Sequence, residues 1–222
     1  MIVVIGCPVV TPSDGPDRAG GLGASIARAA ARSGATVQLV GKVGDDPDGD
    51  AVLIALAQAG VEHVAVLRDP AHRTPARAAR PPGPEVDLGD EPSAAVLLAA
   101  DEPPPVEEPE HLRLDAGDLE LALRYLVDYR VIVVTEPVDE DAARVIADAA
   151  AFAPAEAVVV LAPGASVAPS LSGATVLEGP DHDDGPFADL VGAFAAGLDR
   201  GDPGSGAFRA AADAIGWEPA EA

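Results

Sequence analysis

Apolar residues in this chain fall into short runs that alternate with stretches of helical spacing. Ile2 to Ile5 is a β-branched run closed by Gly6, the pattern of a buried strand. Leu22 to Arg32 places apolar residues at helical intervals, with Gly34 as a stop. Thr36 to Val40 reads as a second strand, Gly44-Asp45-Asp46 as a turn, Asp48 to Ala59 as a helix ending at Gly60, and His63 to Leu67 as a third strand. The rhythm resumes further on, with helices at Ala116 to Asp128 and Asp139 to Phe152, strands at Val131 to Thr135, Ala157 to Leu161 and Ala174 to Leu177, and helices at Pro186 to Leu198 and Gly206 to Ile215. Strands apolar enough to be covered on both faces, alternating with helices, predict an α/β fold: a three-layer, doubly wound, mainly parallel sheet with helices on both sides.

Three stretches break the rhythm. Thr11 to Ala19 is rich in Pro, Asp and Gly and reads as a loop. Residues 68–93 shift to Pro, Arg, Asp and Gly, an irregular connection, before a strand-like run at Ala94 to Ala99. Asp101 to Glu110 holds three consecutive prolines and five acids and reads as solvated loop, part of an irregular stretch over 101–115. With 222 residues and 48% hydrophobic content, one domain over 1–222 accounts for the whole chain.

Charge narrows the partners. Acids outnumber bases 37 to 14, a net charge of −23, which repels nucleic acid and anionic lipid. Aromatic residues make up only 3%, so stacking platforms for bases are scarce. The single cysteine, Cys7, forms no intrachain disulfide and reads as a small core residue, and no long apolar run signals a membrane span, so a cytoplasmic protein is expected. Lys42, the one lysine, fits a compositional bias and by itself indicates no chemistry. His63, His72 and His111 are scattered without ligand spacing. Asp181, His182, Asp183 and Asp184 cluster, but acids before a helix also serve as a cap, and no metal site is assigned.

In a doubly wound sheet, ligands bind beyond the carboxyl ends of the strands. Those places are Gly6 to Thr11, Gly20 to Gly23, Gly41 to Asp46, Glu136 to Asp139, Ala162 to Ser166 and Asp181 to Gly185. One group carries a specific order: Gly20-Gly21-Leu22-Gly23-Ala24-Ser25, a helix, Gly34-Ala35, then Val40-Gly41-Lys42-Val43-Gly44-Asp45-Asp46 with Gly49, then Gly60-Val61. This series resembles the amino-terminal signature of the ribokinase/PfkB carbohydrate kinases.

The resemblance implies a ribokinase-like fold, ATP and Mg²⁺ as cofactors if the chain is active, and a sugar or nucleoside hydroxyl as phosphoryl acceptor. It puts substrate contacts at Gly20, Gly21, Ser25, Gly44 and Asp45, with Ser25 standing where the family usually has Asn. The family's second signature, a glycine-rich anion hole ending in a catalytic aspartate, precedes a helix that resembles Leu190 to Leu198 here. Ungapped counting puts Gly185 on its first glycine, a weak nucleotide contact, Phe187 on its second, and Ala188 on the aspartate. Asp189 is the nearest carboxylate and fits the catalytic role only in a shifted helical register, since one residue rotates a side chain by about 100°. The stretch Cys7 to Ala19 is short for the family's substrate lid, which is expected to be reduced or absent, and the nucleotide-binding stretch between Pro163 and Asp181 is short too. Three readings follow: a minimal small-molecule kinase, a pseudokinase that binds a metabolite without turnover, and a structural module whose exposed sheet edge pairs with a second copy.

Overall fold

The computed structural model describes residues 1–11, 18–76, 112–179 and 185–216. Eight strands and six helices follow in chain order: β1 (Ile2–Ile5), β2 (Val9–Thr11), β3 (Arg18–Gly20), α1 (Leu22–Arg32), β4 (Val37–Gly44), α2 (Pro47–Gln58), β5 (Glu62–Asp69), α3 (Ala116–Arg124), β6 (Val131–Val134), α4 (Glu140–Phe152), β7 (Glu156–Leu161), β8 (Thr175–Glu178), α5 (Gly185–Arg200) and α6 (Gly204–Ile215). Six strands pair in parallel in the order β5-β4-β1-β6-β7-β8, as the strand and helix patterns predict.

Alternation along the central strands splits the core in two. Ile2 and Val4 of β1, with Val131 and Val133 of β6, face α1, α2, α5 and α6. Val3 and Ile5, with Ile132 and Val134, face α3 and α4. Every residue of β1 and β6 is inaccessible to solvent, as a strand covered on both faces requires.

Four expectations are corrected. The ends of the Thr11 to Ala19 loop pair as an antiparallel ribbon, β2 with β3, and Val10 also bridges Ala76; residues 12–17 lie outside the described residues. The strand expected to end at Val40 runs on to Gly44, because Gly41 to Gly44 pair with Val66 to Asp69. Its glycines answer to crowding rather than to a turn: a Cβ on Gly41 would lie 2.7 Å from the carbonyl oxygen of Gly6, and one on Gly44 would lie 2.6 Å from the Thr74 nitrogen. The strand centred on His63 to Leu67 likewise lengthens to Glu62–Asp69, so residues 68 and 69 are strand rather than loop. The helix expected through Asp128 stops at Arg124, and Asp128 adopts a left-handed backbone, φ 60°, which no helix accommodates. The Ala94 to Ala99 strand and the Asp101 to Glu110 loop lie outside the described residues.

Among the described residues, no helix is long and apolar enough to cross a membrane.

Candidate functional site

The sheet order reverses between β1 and β6. β1 leads through α1 to β4 on one side, and β6 leads through α4, on the opposite face, to β7 on the other. Loops leaving the two neighbouring strands therefore diverge and open a crevice at their carboxyl ends, the usual ligand position in such sheets.

Small residues bring three segments together there. The Thr135 hydroxyl donates to the Ile5 carbonyl at 2.9 Å, tying the end of β6 to β1. A Cβ on Gly6 would lie 2.2 Å from that hydroxyl oxygen and one on Gly23 would lie 2.8 Å from it, so α1 starts close against the strand ends only because both positions are glycine. Gly21 precedes α1 with φ 86° and ψ 157°, a conformation essentially restricted to glycine, and no side chain caps the helix there.

Glu136 follows Thr135. Its carboxylate accepts the Cys7 backbone N–H at 2.8 Å, and the Cys7 thiol lies 3.7 Å from its other oxygen. Burial pushes the Glu136 carboxyl above the ordinary carboxylate range, against the opposing hydrogen bonds from Cys7. Burial, reinforced by the Glu136 charge, also raises the Cys7 thiol, leaving it protonated and unreactive. Beyond these residues opens a cleft of about 200 Å³ at the ends of β6 and β7, bordered by Leu22 of α1, by Thr135, Glu136 and Val138, and by the loop after β7.

The residues expected to touch a substrate separate into two groups. Gly20, Gly21 and Ser25 stand together at the start of α1; Gly20 pairs with Val9 in the ribbon, and the half-buried Ser25 hydroxyl accepts from Arg28 at 3.4 Å. Gly44 and Asp45 lie at the end of β4, where their groups are engaged within the chain. The Gly44 N–H donates to the Thr74 hydroxyl at 2.9 Å, and Asp45 pairs with Arg68 at 3.2 Å. Asp46 caps α2, accepting from Gly49, from the Thr74 N–H and from the Thr74 hydroxyl at 2.7–2.8 Å.

At the other expected locus, Ala188 is a core residue, 2% exposed. Asp189 forms an ion pair with Arg32 at the end of α1. Gly185 is exposed with open space around it, and Phe187 packs against Gly179. The first turn of α5 holds no acidic residue, and among the described residues no three His, Cys, Asp or Glu side chains group as metal ligands. A metal-bound nucleotide needs carboxylate oxygens for the metal and close backbone approach for the phosphates. The described residues of α5 do not fit that group. The Asp181 to Asp184 cluster lies outside the described residues.

Two groups escaped the sequence reading. Glu136 was legible only as one residue of a strand-end loop, since its link to Cys7 spans 129 positions. Lys42 is more than compositional bias: it pairs with Asp118 at 2.5 Å, both side chains largely buried, and so fastens β4 to the start of α3. Burial works against its charge, but Asp118, with Asp115 and Asp69 beyond, outweighs that and raises its pKa.

Comparison with known proteins agrees with this geometry. Residues 6–80 match the pfkB family carbohydrate kinase. No curated protein matches the chain. Solved structures that share the fold include Arabidopsis thaliana ribokinase complexed with ribose and ATP (15% identity, 96% of this chain and 90% of that one, TM-score 0.58). A PfkB protein from Polaromonas sp. JS666 shares 16% identity over 97% of this chain and 94% of its own, with TM-score 0.61. A carbohydrate kinase from Agrobacterium tumefaciens shares 14% over 96% and 89%, with TM-score 0.60. The six-stranded parallel sheet and its flanking helices thus give this chain the ribokinase-like fold, and residues 6–80 carry its similarity to the pfkB family carbohydrate kinase.

Proposed function

We propose that this chain is a carbohydrate-kinase homologue that binds a small hydroxyl-bearing molecule in the cleft at the carboxyl ends of β6 and β7, beside the start of α1, and has lost efficient phosphoryl transfer. The observation that carries this reading is at the amino end of α5: Ala188 is sealed in the core, and the neighbouring Asp189 is held by Arg32. Phosphoryl transfer from ATP to a hydroxyl needs a positioned base for the hydroxyl proton and donors for the developing charge. No such base stands at the amino end of α5 among the described residues.

The binding half is better supported. Gly6, Gly21 and Gly23 let α1 approach the strand ends, and Glu136 presents a half-buried acceptor beside them. A net charge of −23 favours a neutral or cationic small molecule over nucleic acid.

Calorimetric titration with ATP and Mg²⁺, followed by an assay for ADP release over a panel of sugars and nucleosides, tests the proposal. The expected result is no saturable nucleotide binding and no ADP release, with at least one panel member binding without ATP. Mg²⁺-dependent ADP release that requires an acceptor and disappears in Asp189→Asn would overturn it.

A further inference from the structure

The walls of the cleft narrow the class of ligand, an inference that rests on the binding role proposed above. Among the described residues that line it, only Thr135, Glu136 and Ser166 carry polar side chains. Thr135 already donates its proton to Ile5, and Ser166 stands at the exposed rim. The interior is aliphatic, formed by Val138, Val159, Leu161, Val167 and Leu171. Among the described residues that line it there is no Lys, Arg or His, and the one charged group is the Glu136 carboxyl, on which Arg113 acts from outside the lining.

Each hydroxyl drawn from water into such a space loses its hydration and must find a partner. A sugar bearing a hydroxyl on nearly every ring carbon would leave several unmatched against valine and leucine. A phosphate ester fares worse, since the one charged group among the described lining residues is a carboxyl. A ring with one or two hydroxyl or amino groups meets neither obstacle: its apolar edge covers the aliphatic wall, and its donor reaches Glu136. We infer that the cleft takes an uncharged or cationic ring compound with an apolar body and one or two hydrogen-bond donors directed at Glu136, and rejects fully hydroxylated and phosphorylated rings.

Four six-carbon ring compounds isolate the hydroxyl count: cyclohexanol, cis-cyclohexane-1,2-diol, myo-inositol and myo-inositol phosphate. Each is titrated into the ¹⁵N-labelled full chain while the backbone amides of Thr135, Glu136, Val138, Val167 and Ala168 are followed. Cyclohexanol and the diol are expected to shift these amides saturably, with myo-inositol at least about tenfold weaker than the diol and its phosphate weaker again. Shifts at these amides from myo-inositol or its phosphate at an affinity equal to or tighter than the diol's would overturn the ligand class while leaving the cleft as a binding site. If none of the four shifts these amides, the cleft is not a small-molecule site, and the binding role fails together with the inference.

Discussion

Glu136 accepts the Cys7 backbone N–H at 2.8 Å, joining the ends of β6 and β1 at the point where the strand order reverses. The same contact fixes a carboxyl beside the cleft in surroundings that disfavour its charge, chiefly through burial. A carboxyl whose folded pKa lies above its unfolded value keeps its proton in the native state after the unfolded chain has released it. Its ionisation therefore subtracts stability as pH rises from about 4.5 through the raised folded value. Glu136→Gln removes that cost and keeps an oxygen able to accept from Cys7. The variant should be more stable at neutral pH by on the order of 1 kcal/mol, with the gain fading as pH falls toward 4. Urea unfolding at several pH values checks this; a variant less stable at pH 7 than at pH 4, relative to the parent, would show that the charge is net favourable.

Gly6→Ala would place a methyl 2.2 Å from the Thr135 hydroxyl oxygen, which is held by its bond to Ile5. Neither partner can move without breaking that bond or shifting β1, so a loss of about 2–3 kcal/mol is expected. Thr135→Ala removes the obstructing oxygen at the cost of one buried hydrogen bond, about 1 kcal/mol. The double variant should then be more stable than the two single losses predict when added. Additive losses in a double-mutant cycle would mean that the crowding is relieved elsewhere.

Much of the fold was legible because β1 and α1 advertise themselves locally: Ile2–Ile5 and Leu22–Arg32 are found where the apolar pattern sets them. β4 was read too short because Gly41 and Gly44 look like turn residues until their neighbours are known, and those neighbours, Gly6 and Thr74, are distant in sequence. The glycine loop at Gly20 to Gly23 showed in the sequence for the complementary reason that all its parts are adjacent. The Glu136 link to Cys7 and the Lys42 pair with Asp118 could not be read, since a pattern of apolar positions does not record which polar side chains meet across a sheet.

α1 and α5 cross where Gly192 meets Ala29. A Cβ at Gly192 would lie 2.5 Å from the Ala29 Cβ and 2.7 Å from the Ala30 nitrogen, in a layer that covers the central strands. In an exposed helix Gly→Ala stabilises by up to about 1 kcal/mol. Here the helices must part, and a net loss of about 1–3 kcal/mol is expected for Gly192→Ala. Gly204→Ala, at the start of α6 with open space at its Cβ, is the control and should be neutral or slightly stabilising in thermal unfolding.

Asp46 serves two segments at once, the first turn of α2 and the strand-following loop at Thr74. Burial opposes its charge, and the donors from Thr74 and Gly49 outweigh it, so its carboxyl titrates below the ordinary value. Its contribution is then complete at neutral pH and lost as pH falls below about 3.8 toward the lower folded value. Asp46→Ala should cost about 1–2 kcal/mol at pH 7, the value of a helix cap, and less at pH 2. Denaturant midpoints at the two pH values test this, and an equal loss at both would show that the ionised carboxylate is not what the donors require.

The Arg32 pair with Asp189 separates the two chemical readings of α5. Both side chains are substantially exposed, 61% and 47%, and exposed ion pairs contribute about 0–1 kcal/mol. Asp189→Asn should therefore leave stability within about 1 kcal/mol of the parent. It should also leave ligand affinity at the cleft unchanged, because Asp189 is tied to the far end of α1 rather than to Thr135 or Glu136. A base for a hydroxyl would behave otherwise, since its loss removes turnover and alters the pH profile while sparing the fold. Unchanged binding together with unchanged stability would leave the aspartate as a surface partner of Arg32. A drop in acceptor affinity with stability preserved would require α5 to start in a different register, one that turns Asp189 toward the cleft.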